Sequence, residues 1–311
     1  MMRKECCEGS LLSGAQNARL TRDRAGLEEA CAQSIVLEAR AAAFDRCKNL
    51  IVPLGGIKGV IPYYECAVGL REGTARDIAV ISRVGKPVCF LVTGFAEDEN
   101  GQPVVVLSRR AAQQTYADDV VALLVPGDIL PCRVTHVERF GCFIDIGRGI
   151  TALLPLDAIA VSRVAHPGER LRAGDALYCA VRARDERGRI VLTHKELLGT
   201  FAETAAGFSA GETVTGIVRS VEAYGVFIEL TPNLTGLAEP FDGAQAGLAA
   251  SVYIKSILPD KLKVKLAVTD VYPLPPAQRG FSYFFTGEHI DRFVYSPPGC
   301  VKTVETVFLQ D

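Results

Sequence analysis

Two short aromatic motifs contain the residues best suited to bind a ligand. Both have the form aromatic-Gly-x-Phe, and they are Phe140-Gly141-Cys142-Phe143 and Tyr224-Gly225-Val226-Phe227. An exposed ring stacks on a nucleic-acid base for about 1–3 kcal/mol, whatever the base is. A single ring of this kind is usually a packing residue, but its recurrence in two stretches of the chain favours a binding surface.

Basic side chains follow each aromatic motif. Residues 261–266 alternate lysine with leucine or valine, so a strand here places its ammonium groups on one face. These groups belong to Lys261, Lys263 and Lys265, and in the earlier stretch Arg187 and Arg189 flank a glycine turn. Rings beside cations are typical of surfaces that bind single-stranded nucleic acid. The alternative is a solvated strand face or the protection of a sheet edge.

The sequence lacks a recognisable catalytic motif. It has no Walker loop, no H-E-x-x-H, no G-x-S-x-G and no paired-carboxylate motif. The ten cysteines include no C-x-x-C pair, and the only zinc ligands to consider are Cys6, Cys7 and Cys31. We therefore expect buried thiols, and we predict no catalytic residue, no metal and no cofactor.

Length and charge limit the kind of partner. A chain of 311 residues is long enough for two or three domains. A net charge of −2 is not that of a dedicated duplex binder, so any site for nucleic acid must be local. No apolar run of about 18 residues is present, and the first residues lack the apolar core of a secretory signal. We expect a cytoplasmic protein without a membrane partner.

The elements that must position these residues are mainly strands. Apolar runs separated by Gly, Pro, Asn and Asp recur at roughly 8–12 residues, a spacing typical of β-barrels and sandwiches. Residues 127–155 are echoed by residues 211–240, and residues 49–62 form a weaker copy. Self-similarity at this length indicates duplicated domains. Helices are predicted over residues 17–33, 109–124 and 195–208.

Strand alternation predicts which side chains face outward. Ile144 lies inward in the first aromatic motif, so Phe143 and Asp145 share the opposite, solvated face. The same alternation places Phe227 and Glu229 outward in the next copy. Each ring is therefore predicted to stand beside an exposed carboxylate.

The combined pattern resembles the S1 domain, a five-stranded OB-fold barrel of a kind that binds oligonucleotides. It consists of glycine-x-valine, aromatic-Gly-x-Phe, a glycine loop and a short basic closing strand, and it covers about residues 30–270 as three copies. The resemblance implies an all-β dominated fold of three tandem S1-type OB-fold barrels joined by short helical linkers, with an N-terminal helix and an aromatic, Pro-rich C-terminal appendage. The implied segments are an N-terminal helical extension (1–29), a degenerate S1-like barrel (30–110), a linker (111–125), an S1 domain (126–197), a linker (198–208), an S1 domain (209–270) and a C-terminal extension (271–311).

The resemblance also implies a set of RNA-facing residues. In this family the set is an aromatic pair, a histidine after the glycine loop, an aspartate before the last strand and an arginine opening that strand. Pro155 and Glu239 stand at the histidine position of the second and third copies. With the neighbouring cations included, the predicted RNA-binding residues are Phe140, Phe143, Asp185, Arg187, Arg189, Tyr224, Phe227, Lys261, Lys263 and Lys265.

Two segments fall outside this pattern. The first copy has Cys47 and Leu50 at the aromatic positions and Val104 at the arginine position, so we expect it to serve structure or protein docking. The C-terminal extension is too apolar for a disordered tail, and we expect it to pack on the third barrel. The alternative is an RNA or protein contact through its aromatics and the polar residues His289, Asp291 and Arg292. The aromatics are Phe281, Tyr283, Phe284, Phe285, Phe293 and Tyr295.

The resemblance implies a non-catalytic, single-stranded RNA-binding protein of the ribosomal protein S1 type. Such a protein acts in translation by binding mRNA at the small ribosomal subunit. The alternative is an S1-domain protein that docks other proteins or regulates RNA turnover without strong RNA affinity of its own. Salt-sensitive binding of single-stranded RNA separates the two.

Overall fold

The computed structural model describes residues 6–274 and 280–309. The chain divides into two compact units, each described by itself below. Among the described residues, the first unit comprises 6–124 with Asp145–Thr151, and the second comprises Val125–Ile144, 152–274 and 280–309. Within the described residues, every helix is too short or too polar to span a membrane.

The first unit is built on a six-stranded sheet in the order β1-β5-β6-β4-β3-β2. Its two outer strands, β1 and β2, are consecutive pieces of chain separated by only two residues, and they pair with β5 and β3 respectively. The first strand of an OB-like sheet is therefore split here, which gives six strands where five were predicted. The strands are β1 Leu37–Arg40, β2 Ala43–Phe44, β3 Leu50–Leu54, β4 Ile57–Ile61, β5 Pro87–Glu97 and β6 Pro103–Ser108.

The helices of the first unit are shorter than predicted. They are α1 Ala15–Leu20, α2 Arg24–Ala32, α3 Ile78–Ile81 and α4 Arg109–Asp119. The single helix predicted over residues 17–33 is wrong because Asp23 is extended and accepts a hydrogen bond from the Gly26 N–H, which starts a new helix. Ser108 caps α4 through the Ala111 N–H at 2.8 Å. That helix ends at Asp119, earlier than predicted, and a 3-10 turn follows.

The second unit contains two closed five-stranded barrels of the same topology. In the third barrel four neighbouring strand pairs are antiparallel, and the parallel pair of β14 with β16 closes the sheet. In the second barrel β10 pairs antiparallel with β7 and β11, and β9 pairs parallel with β11. The second barrel has strands β7 Ile129–Glu138, β8 Gly141–Asp145, β9 Thr151–Pro155, β10 Ala176–Arg184 and β11 Ile190–Thr193. The third barrel has strands β12 Thr213–Glu222, β13 Gly225–Thr231, β14 Leu234–Ala238, β15 Ala249–Leu258 and β16 Lys263–Tyr272.

A short linker joins these barrels. The helix predicted over residues 195–208 is a 3-10 segment, Lys195–Leu198, followed by α5, Phe201–Ala205. Phe201 is buried in one core with Val218, Ile228 and Ile254 of the third barrel. Burying an aliphatic side chain of this size contributes about 1.5–3 kcal/mol, so this core fixes both the barrel and the linker beside it.

The C-terminal extension packs, as predicted. It forms a two-stranded ribbon of β17 Arg292–Val294 and β18 Glu305–Val307, and Phe293 and Tyr295 join the core of the third barrel. The Tyr295 hydroxyl donates to the Asn233 carbonyl at 2.5 Å. The polar side chains of the alternative interpretation already have partners, since His289 bonds Asp128 at 2.8 Å and Arg292 bonds Glu305 at 2.9 Å.

Candidate nucleic-acid interface

The glycine of each aromatic motif is required by a close approach of the backbone. A side chain at Gly141 would place its Cβ 2.3 Å from the Leu154 carbonyl oxygen, and at Gly225 it would lie 2.3 Å from the Ala238 carbonyl oxygen. Only glycine fits between these neighbouring strands. The chain therefore turns at the same point in both barrels, and the ring before the glycine is brought beside the phenylalanine after it.

The two aromatic pairs have the same geometry. Phe140 and Phe143 meet edge to face with ring centroids 5.9 Å apart and planes at 85°. Tyr224 and Phe227 do so at 6.1 Å and 89°. Phe140 is 56% exposed and Tyr224 is 67% exposed, whereas the two phenylalanines are half-buried. Each barrel thus presents one ring to solvent, supported by a second ring anchored in the strand.

The third barrel gathers its aromatic pair and its lysines into one groove of about 980 Å³. Tyr224 and Phe227 line this groove together with Lys261, Lys263 and Lys265. All three lysines are exposed, and within the described ranges none of them lies in an ion pair. The structure therefore brings together the five predicted residues of this copy around one concave, basic surface.

The path of the lysines differs from the predicted alternating strand. Lys261 lies in the 3-10 turn Pro259–Lys261, and Leu262 adopts a left-handed conformation with φ of 51°. Strand β16 begins only at Lys263, so the prediction of one strand from 261 to 266 is wrong at its first two residues. The turn nevertheless leaves Lys261 lining the same groove as Lys263 and Lys265.

The turn before the last strand positions the cations of the second barrel. Asp185 accepts hydrogen bonds from the backbone N–H groups of Arg187 and Arg189, at 3.0 and 2.9 Å, and from Nε of Arg189 at 2.7 Å. The hydrogen bond from the Arg189 side chain lowers the pKa of Asp185. Asp185 thus holds the turn and orients Arg189, while both arginines remain exposed.

A histidine that sequence reasoning missed completes the aromatic surface of the second barrel. His136 on β7 is stacked with Phe143, with ring centroids 6.5 Å apart and planes at 21°. Its Nε2 is 2.8 Å from a carboxylate oxygen of Glu138. The repeat gave no signal for it, because the third barrel has Ser220 at the corresponding position.

In the third barrel, the residue at the histidine position of the S1 pattern is Glu239, and it forms an ion pair. Glu239 lines the groove and bonds Nζ of Lys255 at 2.8 Å. This hydrogen bond lowers the pKa of Glu239 and keeps it ionised. The partner of this carboxylate is therefore Lys255, and not Lys261, Lys263 or Lys265.

The two carboxylates predicted to face solvent are buried, so that prediction is wrong. Asp145 is 2% exposed and Glu229 is 5% exposed. Asp145 accepts hydrogen bonds from the N–H groups of Glu8, Gly147 and Gly149 at 2.8 to 3.0 Å. Glu229 pairs with Arg170 and with Nε of Arg219 at 2.9 Å. Both carboxylates hold the fold and do not face a ligand.

The first unit lacks the aromatic surface of the barrels. Leu50 is fully buried in the sheet core, Val104 is buried, and Cys47 is exposed. In residues 6–274 and 280–309, no three His, Cys, Asp or Glu side chains are grouped as a metal site would require, and this includes Cys6, Cys7 and Cys31. The prediction that this copy has no usual RNA site remains open to experiment.

Comparison with known proteins gives a family-model match and several similar proteins. Residues 124–195 match the family model of the S1 RNA binding domain. The small ribosomal subunit protein bS1 of Leuconostoc lactis is 27% identical over 237 residues, which are 71% of this chain and 53% of that protein. The protein of the same name from Rhizobium meliloti is 27% identical over 270 residues, covering 82% of this chain and 45% of that protein.

The chain spans about half the length of the curated relatives it matches. Among solved structures, a multidomain protein with nucleic acid binding domains from Streptococcus pneumoniae aligns with a TM-score of 0.25 and 15% identity. That alignment covers 76% of this chain and 73% of the other. The similarity to S1-domain proteins rests on the sequence matches, and the two closed barrels agree with it.

Proposed function

Because the chain belongs to the ribosomal protein S1 family of tandem S1-type domains, we propose that it is a non-catalytic protein that binds single-stranded RNA. Its function would be in translation, where it would hold mRNA at the small ribosomal subunit in the cytoplasm. The single observation that supports this best is the groove of the third barrel, in which Tyr224 and Phe227 stand beside three lysines.

The chemistry of the groove suits a flexible polyanion. Bases stack on rings for about 1–3 kcal/mol each, and phosphates are neutralised by lysine. The chain as a whole carries a net charge of −2, so affinity for a polyanion must come from local basic surfaces such as this groove. A site of this kind contacts the backbone and the faces of the bases, and it should tolerate many sequences.

The test is a titration of single-stranded RNA binding against salt concentration. Each phosphate contact on a single strand contributes roughly −0.7 to the slope of log K against log salt. Replacing Lys261, Lys263 and Lys265 with glutamine should reduce the magnitude of that slope by about 1–2 units and weaken binding of all sequences alike. A thermal melt checks folding. An unchanged slope in a folded variant would show that the lysines only solvate the barrel.

A second function, protein docking, is favoured by the surface of the first unit. Tyr64, Ile78 and Ile81 are 56%, 66% and 45% exposed, and neighbouring apolar side chains left in water often mark an interface. The Tyr63 hydroxyl donates to Asp77, which brings the segments of Tyr64 and Ile78 together.

The docking function is tested by co-sedimentation with small ribosomal subunits at moderate salt. Replacing Ile78 and Ile81 with serine should reduce co-sedimentation while RNA binding by the same protein is unchanged. If co-sedimentation instead follows RNA affinity across the lysine and isoleucine variants, the first unit has no docking function of its own.

A further inference from the structure

The groove of the third barrel has one wall that belongs to the second barrel. Val161, Ser162, Arg163 and Ala165, which follow β9 of the second barrel, line the same cavity as Tyr224 and Phe227. These four residues lie outside every segment of the repeat that carries an aromatic pair. The cavity is thus composed of two domains, although the pattern in the sequence assigned it to one.

Hydrogen bonds hold this wall against the third barrel. The Val161 N–H donates to Oδ1 of Asn233 at 2.9 Å, and the Ser162 N–H donates to the Pro232 carbonyl at 3.3 Å. The Thr235 hydroxyl donates to Oγ of Ser162 at 2.6 Å. Ser162 is buried, so these bonds are shielded from water and position the residue that follows it.

Asn233 ties the wall to the linker between the barrels. Its side-chain amide also donates to the carbonyls of Lys195 and Gly199, at 2.7 and 2.8 Å. Both the oxygen and the nitrogen of this buried amide are therefore bonded, the oxygen to the wall and the nitrogen to the linker. The wall is therefore in place before any ligand arrives, which lowers the entropic cost of binding.

Arg163 is the charged residue of the wall. Its side chain is exposed, and among the side chains that the structure describes it has no carboxylate within ion-pair distance. It lines the groove with Lys261, Lys263 and Lys265. The carboxylates of the lining are Glu239, which is paired with Lys255, and Glu222. A guanidinium left unpaired in a basic groove is well suited to a phosphate.

We infer that the second barrel completes the RNA-binding groove of the third barrel, and that Arg163 binds a phosphate of the strand whose bases stack on Tyr224 and Phe227. This inference rests on the proposed function. It makes the two barrels one binding unit, in which the affinity of the third barrel depends on a residue of the second.

The experiment compares Arg163→Gln with wild type in a salt titration of a single-stranded oligonucleotide, using the whole chain. Loss of one phosphate contact should reduce the magnitude of the slope by roughly 0.7. When the salt is lowered from about 1 M to about 0.1 M, the affinity of wild type should therefore increase about fivefold more than that of the variant. Arg163→Lys should keep most of the slope. Arg46→Gln is the matched control, because it removes the same charge from an exposed loop of the first unit.

A double-mutant cycle shows which barrel's aromatic pair binds the same stretch of RNA as Arg163. Arg163→Gln combined with Phe227→Ala should be less than additive, because both residues hold the same stretch of RNA, whereas its combination with Phe143→Ala should be additive. Additivity with Phe227→Ala, or binding by Arg163→Gln equal to wild type, overturns the inference and leaves the proposed function intact. If the wild-type chain itself does not bind single-stranded RNA, the proposed function fails first.

Discussion

Phe227 and Lys265 lie on the same face of the third barrel, two strands apart, with Leu237 between them. Phe227 on β13 is paired with Leu237 on β14, and Leu237 is paired with Lys265 on β16. Two strand spacings separate the ring from the lysine backbone by about 10 Å. A nucleotide stacked on the ring can therefore bring a phosphate within reach of the lysine's flexible side chain.

This row of residues predicts that Phe227 and Lys265 act on the same nucleotide. Phe227→Ala should weaken RNA binding by about 1–3 kcal/mol, and Lys265→Gln should reduce the salt slope by roughly 0.7. The double variant should lose less than the sum of the two. Equilibrium titrations of all four proteins measure the coupling. Strict additivity would mean that ring and ammonium contact separate parts of the strand.

The second barrel gives a parallel prediction for its own rings. Phe140→Ala with Phe143→Ala should weaken single-stranded RNA binding at least tenfold, because two stacking contacts at roughly 1–3 kcal/mol each are lost. Phe140 is largely exposed, so the melting temperature should fall little on its account. The assignment is wrong if the variant unfolds the barrel and any residual binding is unchanged.

The buried ion pairs of Glu229 predict a large loss of stability when its carboxylate is removed. Glu229 and Arg170 are both 5% exposed at their side chains, and Arg219 is 10% exposed. Glu229→Ala should cost about 3–5 kcal/mol, because two buried guanidinium groups lose their shared carboxylate. Glu239→Ala removes only a solvent-exposed pair with Lys255, so it should change stability far less than Glu229→Ala. Denaturant unfolding of both variants provides the comparison.

Glu38 in the first unit predicts a dependence of stability on pH. Burial raises the pKa of Glu38 to about 7, against the N–H groups of Leu11 and Gly9, which lower it. In the unfolded chain this pKa is about 4.3. The folded state therefore binds the extra proton between these values, so the free energy of unfolding should fall as pH rises from about 4.3 to about 7.

Glu38→Gln tests this dependence. Oε2 of Glu38 accepts from both Gly9 and Leu11, at 3.1 and 2.8 Å, and a glutamine oxygen can take the same place. The variant should lose part of the decline in melting temperature between pH 4.5 and pH 7, because burial also raises the pKa of Asp145, to about 6, and that carboxyl adds a decline of the same sign. A difference in melting temperature between wild type and Glu38→Gln that stays constant across this range would show that Glu38 does not titrate there.

The local pattern of the sequence predicts the barrels well. The alternation of apolar residues and the glycine of each aromatic motif reflect contacts within one strand or with the next strand along the chain. Both features are therefore visible in the repeated sequence pattern. Tyr224 and Phe227 meet for this reason. The partners of Asp145 and Glu229 lie up to 137 positions away along the chain, and no local period carries that information.

The details of the site depend on the same kind of distant contact. Arg163 enters the groove only because the barrels are joined at Asn233, and His136 meets Phe143 through the pairing of β7 with β8. The turn at Lys261 was missed for a different reason. Its lysine-leucine alternation is that of a strand, but Leu262 adopts a left-handed conformation that a pattern of side chains does not predict.

The bonding of the C-terminal extension to the start of the second barrel has a consequence for synthesis of the chain. Asp128 and His289 are 161 positions apart, and beside them the Ile129 N–H donates to the Glu288 carbonyl at 2.8 Å. At roughly 5–20 residues per second, a ribosome needs about 8–30 s to add the partner. During that interval Ile129, the first residue of β7, offers an unpaired backbone donor, and we expect this to be the time at which the nascent chain is most open to mispairing or to a chaperone.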